Sequence, residues 1–377
     1  MGYEADWLWG IDMHDPKRTV MRRLIDQMAT YGFNQVLVNI YAHDTRWSPG
    51  RQNQWDYGPP AMYAWEGTNE DPNHSRLNVK FFQLYDGMME ELRDKGIVAH
   101  IMLKVYNKMV NWPPPHSKDE ERYFKYVVAR YQGFSNVIWD YSKEAKYEKD
   151  KALTKKLIDL IRANDAYKRL TTIHDDNIYQ ADPKLIANIN FYSDQFHSRW
   201  AEKIAFDRTI RNWPAVNVEF AYERGVENLP TYGIKHDWEE QLRRAWLIYM
   251  AGGYGVYYYA NTAWDLVKPD PEPPGYRRFK YLKDALSELP YWEMEPMNEI
   301  SIGDACLGKA GEAYACYVQG HQITVNLHGL TGKAKTAEWL DTWTGSRTAA
   351  PVSDPGIYTL EPPRSFAGAP VVLIVRR

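Results

Sequence analysis

Over roughly its first 270 residues the chain alternates β-branched and aromatic runs with amphipathic stretches, the pattern of parallel strands joined by helical crossovers. The apolar runs are WLWGID (Trp7–Asp12), QVLVNIY (Gln35–Tyr41), IVAHIML (Ile97–Leu103), NVIW (Asn136–Trp139), RLTTIH (Arg169–His174), NINFY (Asn188–Tyr192), PAVNV (Pro214–Val218) and GVYYY (Gly255–Tyr259). Helical stretches fall at Lys17–Tyr31, Val79–Lys95, Lys118–Tyr131, Ala152–Ala163 and Asp237–Ala251, and Gly96 stands where a C-cap glycine belongs. Eight such strands predict an α/β fold of the (β/α)8 TIM-barrel type. The rival, an open doubly wound sheet, would carry a glycine-rich phosphate loop after a strand, and no run ends in one.

Near Tyr291 the texture changes. ACLGKAGEAYACYVQG, HQITVNLHGL, TAEWLDTWTG, GIYTLEPP and APVVLIVRR are short alternating runs cut by Gly, Pro and Asp turns. They predict a small antiparallel β-sandwich, so the expected division is a barrel over 1–289 and a sandwich over 290–377. The only cysteines, Cys306 and Cys316, flank the turn-rich GKAGEA. A cross-strand disulfide fits that placement, and two packed thiols are the simpler expectation.

Composition narrows the function. A net charge of -3 makes no electrostatic case for nucleic acid or an anionic membrane. No apolar run has the length of a membrane-spanning helix, and MGYEADWLWG lacks the basic-then-apolar order of a secretion signal. The chain has 28 Tyr and 15 Trp against 11 Phe, a bias that suits stacking on sugar rings while bonding their hydroxyls. It has no Gly-x-Ser-x-Gly elbow and no dinucleotide fingerprint, so neither serine chemistry nor an organic cofactor is expected. No His-Glu pair at helical spacing points to a metal.

Catalytic groups of a (β/α)8 barrel gather at the C-terminal strand ends. Those ends carry Asp12, Asn39 with Tyr41, Lys104, Asp140 with Glu144, His174 with Asp175, Tyr192, Glu219 with Glu223, and Trp264. Taken singly, an acid after a strand is ordinarily a solvated charge. Glu144 and Glu219, however, follow the fourth and seventh strands, which face each other across a barrel mouth. Two facing carboxylates are what glycoside hydrolysis needs, with ~5–5.5 Å between them for retention and ~6.5–9.5 Å for inversion. Val216, Val218 and Phe220 surround Glu219, so desolvation would raise its pKa unless partners compensate. Glu223 reads as a structural charge for Arg224 or Arg244. Among Trp47, Trp55 and Trp65, in the loop after the second strand, at least one is expected to line the cleft.

NVIWDYSKEA resembles the strand-four motif of clan A glycoside hydrolases, N-V-x-W-x-x-x-N-E, with Asn136, Val137, Trp139 and Glu144 in place and Lys143 where Asn is usual. DPNHSRLNVKFFQLYDGMMEELRDKGI, RYFKYVVARYQGFSNVIW, TTIHDDN and PAVNVEFAYERG are similar to the apiosidase-like glycoside hydrolases. The C-terminal YWEMEP…LIVRR resembles the collagen-binding-type module that often ends such chains. The resemblance implies a retaining hydrolase with Glu219 as nucleophile and Glu144 as acid/base. Its substrates would be side-chain sugars or unusual linkages of plant or microbial polysaccharides, pentofuranosides among them. Substrate contacts are then expected from Asp12, Asn39, Tyr41, Lys104, Lys143, His174, Tyr192 and Trp264. Asn39 and His174 would bond the transition state, Tyr192 would orient the nucleophile, and Trp264 would be a sugar platform. Lys143 would donate to a sugar or meet a uronate, with Asp140 to neutralise it. Two other classes fit the same residues: a carbohydrate-binding barrel without catalysis, and a lyase on acidic glycans using Lys104, Lys143 and His174.

Overall fold

In the computed structural model, residues 1–43, 54–174, 187–210, 212–226, 233–366 and 368–377 are described. They form two compact units, the first of Met1–His197, Trp213–His236 and Val256–Pro273, the second of Ser198–Asn212, Asp237–Gly255 and Pro274–Arg377.

Eight parallel strands close the barrel: β1 Gly2–Glu4, β2 Gln35–Asn39, β3 Val98–Met102, β4 Val137–Lys143, β5 Thr171–His174, β6 Tyr192–Asp194, β7 Ala215–Asn217 and β8 Tyr254–Tyr259. Closure is direct, with Gly2 opposite Val256 and Tyr3 opposite Tyr257. Side chains on β2 to β5 are almost all buried, which is why these strands read as unbroken apolar runs. The first unit's helices begin where side chains can take up free backbone donors. Asn78 accepts from Lys80 N–H, Ser117 from Glu120 N–H and Asp150 from Leu153 N–H, opening helices Val79–Asp94, Lys118–Tyr131 and Lys151–Asn164.

Three expected strands are placed differently. WLWGID is not the first strand: that is Gly2–Glu4, and Leu8–Ile11 is a helical turn. A short apolar run is buried in either conformation, so its pattern cannot separate them. The fourth strand continues past Trp139 to Lys143, through an irregularity in its pairing with β5 between Asp140 and Lys143. The sixth strand begins at Tyr192 instead of ending there.

In the second unit, Glu295–Pro296, Ala305–Lys309, Ala313–Val318, Val371–Arg376, Thr336–Asp341 and Arg347–Ala349 form one sheet in that spatial order. A second sheet pairs Ile323–Asn326 with Ile357–Leu360. Apolar residues of both sheets, Cys306, Trp339 and Leu373 from one and Val325 and Leu360 from the other, share a core, as a sandwich requires. Cys306 and Cys316 are register partners joined by a disulfide, so the simpler expectation of free thiols does not hold. Of the unit's helices, Trp238–Met250 lays Trp246 parallel to the ring of Tyr317, centroids 5.9 Å apart.

Candidate active site

A cavity of about 630 Å³ opens at the C-terminal strand ends of the barrel. Its lining comes from just beyond β3 (Tyr106, Asn107, Lys108, Met109), β4 (Glu144, Tyr147), β6 (Gln195, His197), β7 (Glu219) and β8 (Trp264). Both candidate carboxylates and the candidate platform tryptophan therefore share one cavity.

Glu144 is the first residue past β4 and has φ +60°, in the left-handed region where a side chain other than glycine's is strained. Its side chain accepts from Asn107 Nδ2 at 3.3 Å and pairs with Lys146 Nζ at 3.1 Å. Glu219 follows β7, and its own N–H donates to Asn217 Oδ1 at 3.1 Å. Its carboxylate is held at both oxygens. Tyr222 OH donates to Oε1 at 3.0 Å, and Lys143 Nζ donates to Oε2 at 3.2 Å. His197 Nε2 lies 3.7 Å from Oε1. Trp264, itself at φ +62°, donates through Nε1 to Tyr222 OH at 3.2 Å, so Trp264, Tyr222 and Glu219 are one hydrogen-bonded chain.

Lys143 lies beside two acids. It is 1% exposed, with Asp6 Oδ2 at 3.6 Å on one side, Glu219 on the other and the Trp264 ring centroid at 4.5 Å. Burial pulls its pKa down, but the charges of Asp6, Glu219, Glu144 and Glu4 win, and the ammonium is held above its ordinary range. Asp140 is not the neutraliser expected for it. Its Oδ2 meets His100 Nε2 at 2.9 Å, and its Oδ1 accepts from Ser142 N–H and His174 N–H. The irregularity after Asp140 carries the strand on to Lys143, which pairs with His174 of β5, and the two side chains end on different partners.

The other expected contacts scatter. Asp12 pairs with Arg18 at 2.9 Å and does not line the cavity. Asn39 accepts from Trp9 Nε1 at 3.1 Å, and Tyr41 is packed among Trp9, Trp65 and Phe81. Lys104 is buried and bonded to Glu120 at 2.9 Å. Tyr192 opens its strand and packs on Trp213, centroids 5.4 Å apart, so the hydroxyl on Glu219 is that of Tyr222. His174 is fully buried and touches the site through Gln195, whose Oε1 is 3.2 Å from its Nε2. Burial, reinforced by the Lys143 charge, holds His174 well below the ordinary imidazole range, hence neutral. Trp65 is buried against Tyr41, Trp112 and Tyr123. Glu223 accepts from Tyr257 OH at 2.7 Å. Trp47 and Asp175 lie outside the described residues.

Sequence reading missed Glu4, which ends β1, and Asp6, two residues beyond it and beside Lys143, along with Asn107, Lys108, Gln195, His197 and Tyr222. GYEAD, two acids in a short run ahead of WLWG, was the available signal for the first pair.

A closed (β/α)8 barrel with a polar cavity at its strand ends is a TIM-barrel enzyme. Among solved structures, a glycoside hydrolase aligns with TM-score 0.73 at 17% identity, covering 100% of this chain and 92% of that one. A family 5 glycoside hydrolase from Bacteroides vulgatus ATCC 8482 gives 0.70 at 16%, covering 100% and 89%. A family 30 endoxylanase from Clostridium papyrosolvens C71 gives 0.53 at 8%, covering 100% and 96%. At such identities the likeness is one of fold. No curated protein matches the chain. The family model described as apiosidase-like, catalytic domain, matches residues 3–295, and the chain belongs to that family. It is a glycoside hydrolase.

Proposed function

We propose that the enzyme is a retaining glycoside hydrolase in which Glu219 attacks the anomeric carbon and Glu144 serves as acid, then base. The observation that carries this reading is that the two glutamates, from β4 and β7, line one cavity. Lys143 and Tyr222 donate to the two oxygens of Glu219 and fix the orientation of its carboxylate, as a positioned nucleophile needs. Among the described residues, Glu144 bears Asn107 and Lys146, whose side chain is 41% exposed. Trp264 lines the same cavity with Lys108 Nζ 3.5 Å from its ring centroid, and Asn107, Gln195 and His197 supply donors and acceptors for sugar hydroxyls. The family supports side-chain sugars of plant or microbial polysaccharides as substrates, pentofuranosides among them. For the C-terminal sandwich, the role of a collagen-binding-type module rests on sequence resemblance alone.

A lyase finds less support. Lys104 is bonded to Glu120, Lys143 to Glu219, and His174 is buried behind Gln195.

The test is turnover of a panel of aryl glycosides and polysaccharides by wild type, Glu144→Gln and Glu219→Gln, with the product anomer read by NMR. Glu144→Gln is expected to lose about 10²–10⁴-fold on unactivated substrates, Glu219→Gln at least as much, and the first-formed product to keep its configuration. Either variant at wild-type rate, or an inverted product, would remove the assignment.

A further inference from the structure

Lys143 ends β4, and the structure gives that lysine two acidic neighbours. Its Nζ lies 3.2 Å from Glu219 Oε2 and 3.6 Å from Asp6 Oδ2. All three side chains are at most 2% exposed. A lysine paired with Glu219 alone would face a difficulty in a retaining reaction. When Glu219 attacks, the Glu219 oxygen–anomeric carbon bond forms as the bond to the leaving oxygen breaks, and Glu144 gives that oxygen its proton. Glu219 is then a neutral ester. The buried ammonium has lost its counterion at the moment the intermediate appears, and an uncompensated buried charge is strongly unfavourable. Water later cleaves the ester, returning a proton to Glu144 and the negative charge to Glu219.

We propose that Lys143 is a positioning residue with two counterions, Glu219 in the resting enzyme and Asp6 while Glu219 is an ester. The inference rests on the retaining reading above for its catalytic consequence, but the charge sharing is a property of the folded protein. Asp6 reaches Lys143 because β1 ends at Glu4, two residues earlier. There Glu4 Oε1 accepts from the Asp6 N–H at 2.8 Å and sets the loop. Glu4 belongs to the same cluster. Burial, and then the charge of Asp6, hold its carboxyl well above the usual range. Burial raises the Asp6 carboxyl too, against the charges of Lys143 and Lys108, and geometry makes Asp6 the second counterion, because its Oδ2 lies within ion-pair distance of Lys143.

The experiment needs no substrate. Glu219→Gln makes the side chain neutral, as esterification does, and urea unfolding then measures what Asp6 contributes. Asp6→Asn in the wild-type background leaves the Lys143–Glu219 pair intact. In the Glu219→Gln background it removes both acids that lie within ion-pair distance of Lys143. The double variant should therefore unfold more readily than the product of the two single effects, by at least about tenfold in the unfolding equilibrium constant. Adding Lys143→Met to the double variant should recover most of that excess, because the buried ammonium is gone. Glu4→Gln in place of Asp6→Asn should show no such excess. If the double variant does not fold at all, restoration by Lys143→Met supports the proposal and failure of restoration overturns it. Simple additivity also overturns it, as does an excess that follows Glu4.

The catalytic consequence has its own readout on whichever glycoside the panel identifies. Asp6→Asn should lower kcat/KM, which reports ester formation, by about tenfold, with the affinity for a non-hydrolysable thioglycoside of the same sugar unchanged. A change in affinity with kcat/KM intact would overturn the catalytic part. An additive stability cycle counts against the shared lysine alone, whereas wild-type turnover by Glu219→Gln counts against the hydrolase assignment, so the two failures are distinct.

Discussion

Asp12 shows how a strand-end acid can be legible in sequence and still serve another purpose. It is 6% exposed, it pairs with Arg18, and burial outweighs that pairing to push its carboxyl up to about 6. A native pKa above the unfolded one means the folded state binds the extra proton between about pH 4 and 6. Stability contributed by the protonated form is thus present below that window and is lost as the pH rises through it. Asp12→Asn cannot ionise, so its stability relative to wild type should grow by on the order of 2 kcal/mol between pH 4 and 7. Urea unfolding at the two pH values measures this, and a constant difference would mean Asp12 titrates normally. The sequence marked Asp12 as an acid at an apolar run's end. That it sits on a helical turn facing Arg18 follows from where the chain turns after β1, which no residue type announces.

At the scale of elements, β4 organises the site. Its extension to Lys143 puts Glu144 at a backbone position of φ +60°, and the cost of a Cβ there is on the order of 1 kcal/mol. Glu144→Gly and Glu144→Ala both remove the carboxylate, but only glycine relieves the backbone. The glycine variant should be more stable than the alanine variant by about 1 kcal/mol in thermal or urea unfolding. Equal stabilities would show that the loop relaxes out of this conformation. Asp140 ties the same strand to both neighbours, accepting from His100 on β3 and from the His174 backbone on β5. Asp140→Ala would leave these buried donors unpaired and should destabilise by about 3–5 kcal/mol. A loss under 1 kcal/mol would mean water replaces the carboxylate. The motif in NVIWDYSKE located the strand and its glutamate. The irregularity after Asp140 was not legible, because a residue added to one strand changes facing without changing composition.

The two units carry separate predictions at the level of the whole molecule. The Cys306–Cys316 disulfide closes a hairpin of sequence separation 10 inside the sandwich core. Replacing both cysteines with alanine should lower the sandwich's unfolding free energy by about 2–3 kcal/mol by the chain-entropy estimate, measured by urea unfolding under oxidising conditions. No change would show that the crosslink does not stabilise the sandwich. The barrel, the sandwich, five helices to within two residues at each end and the strands that carry Glu144 and Glu219 were legible, because burial on two faces and on one face leave different periodicities. By itself the sequence determined most of the strands, these five helices, which strand ends carry acids, and the family those motifs mark. Only the tertiary structure decided which polar groups meet. Lys143 is bound to Glu219 and Asp6, Tyr222 stands on Glu219 where Tyr192 was expected, and Asn39 and Lys104 are bonded inside the fold. Lys143 and Asp6 are 137 positions apart, and their meeting depends on closure of the barrel, whose geometry no local pattern encodes.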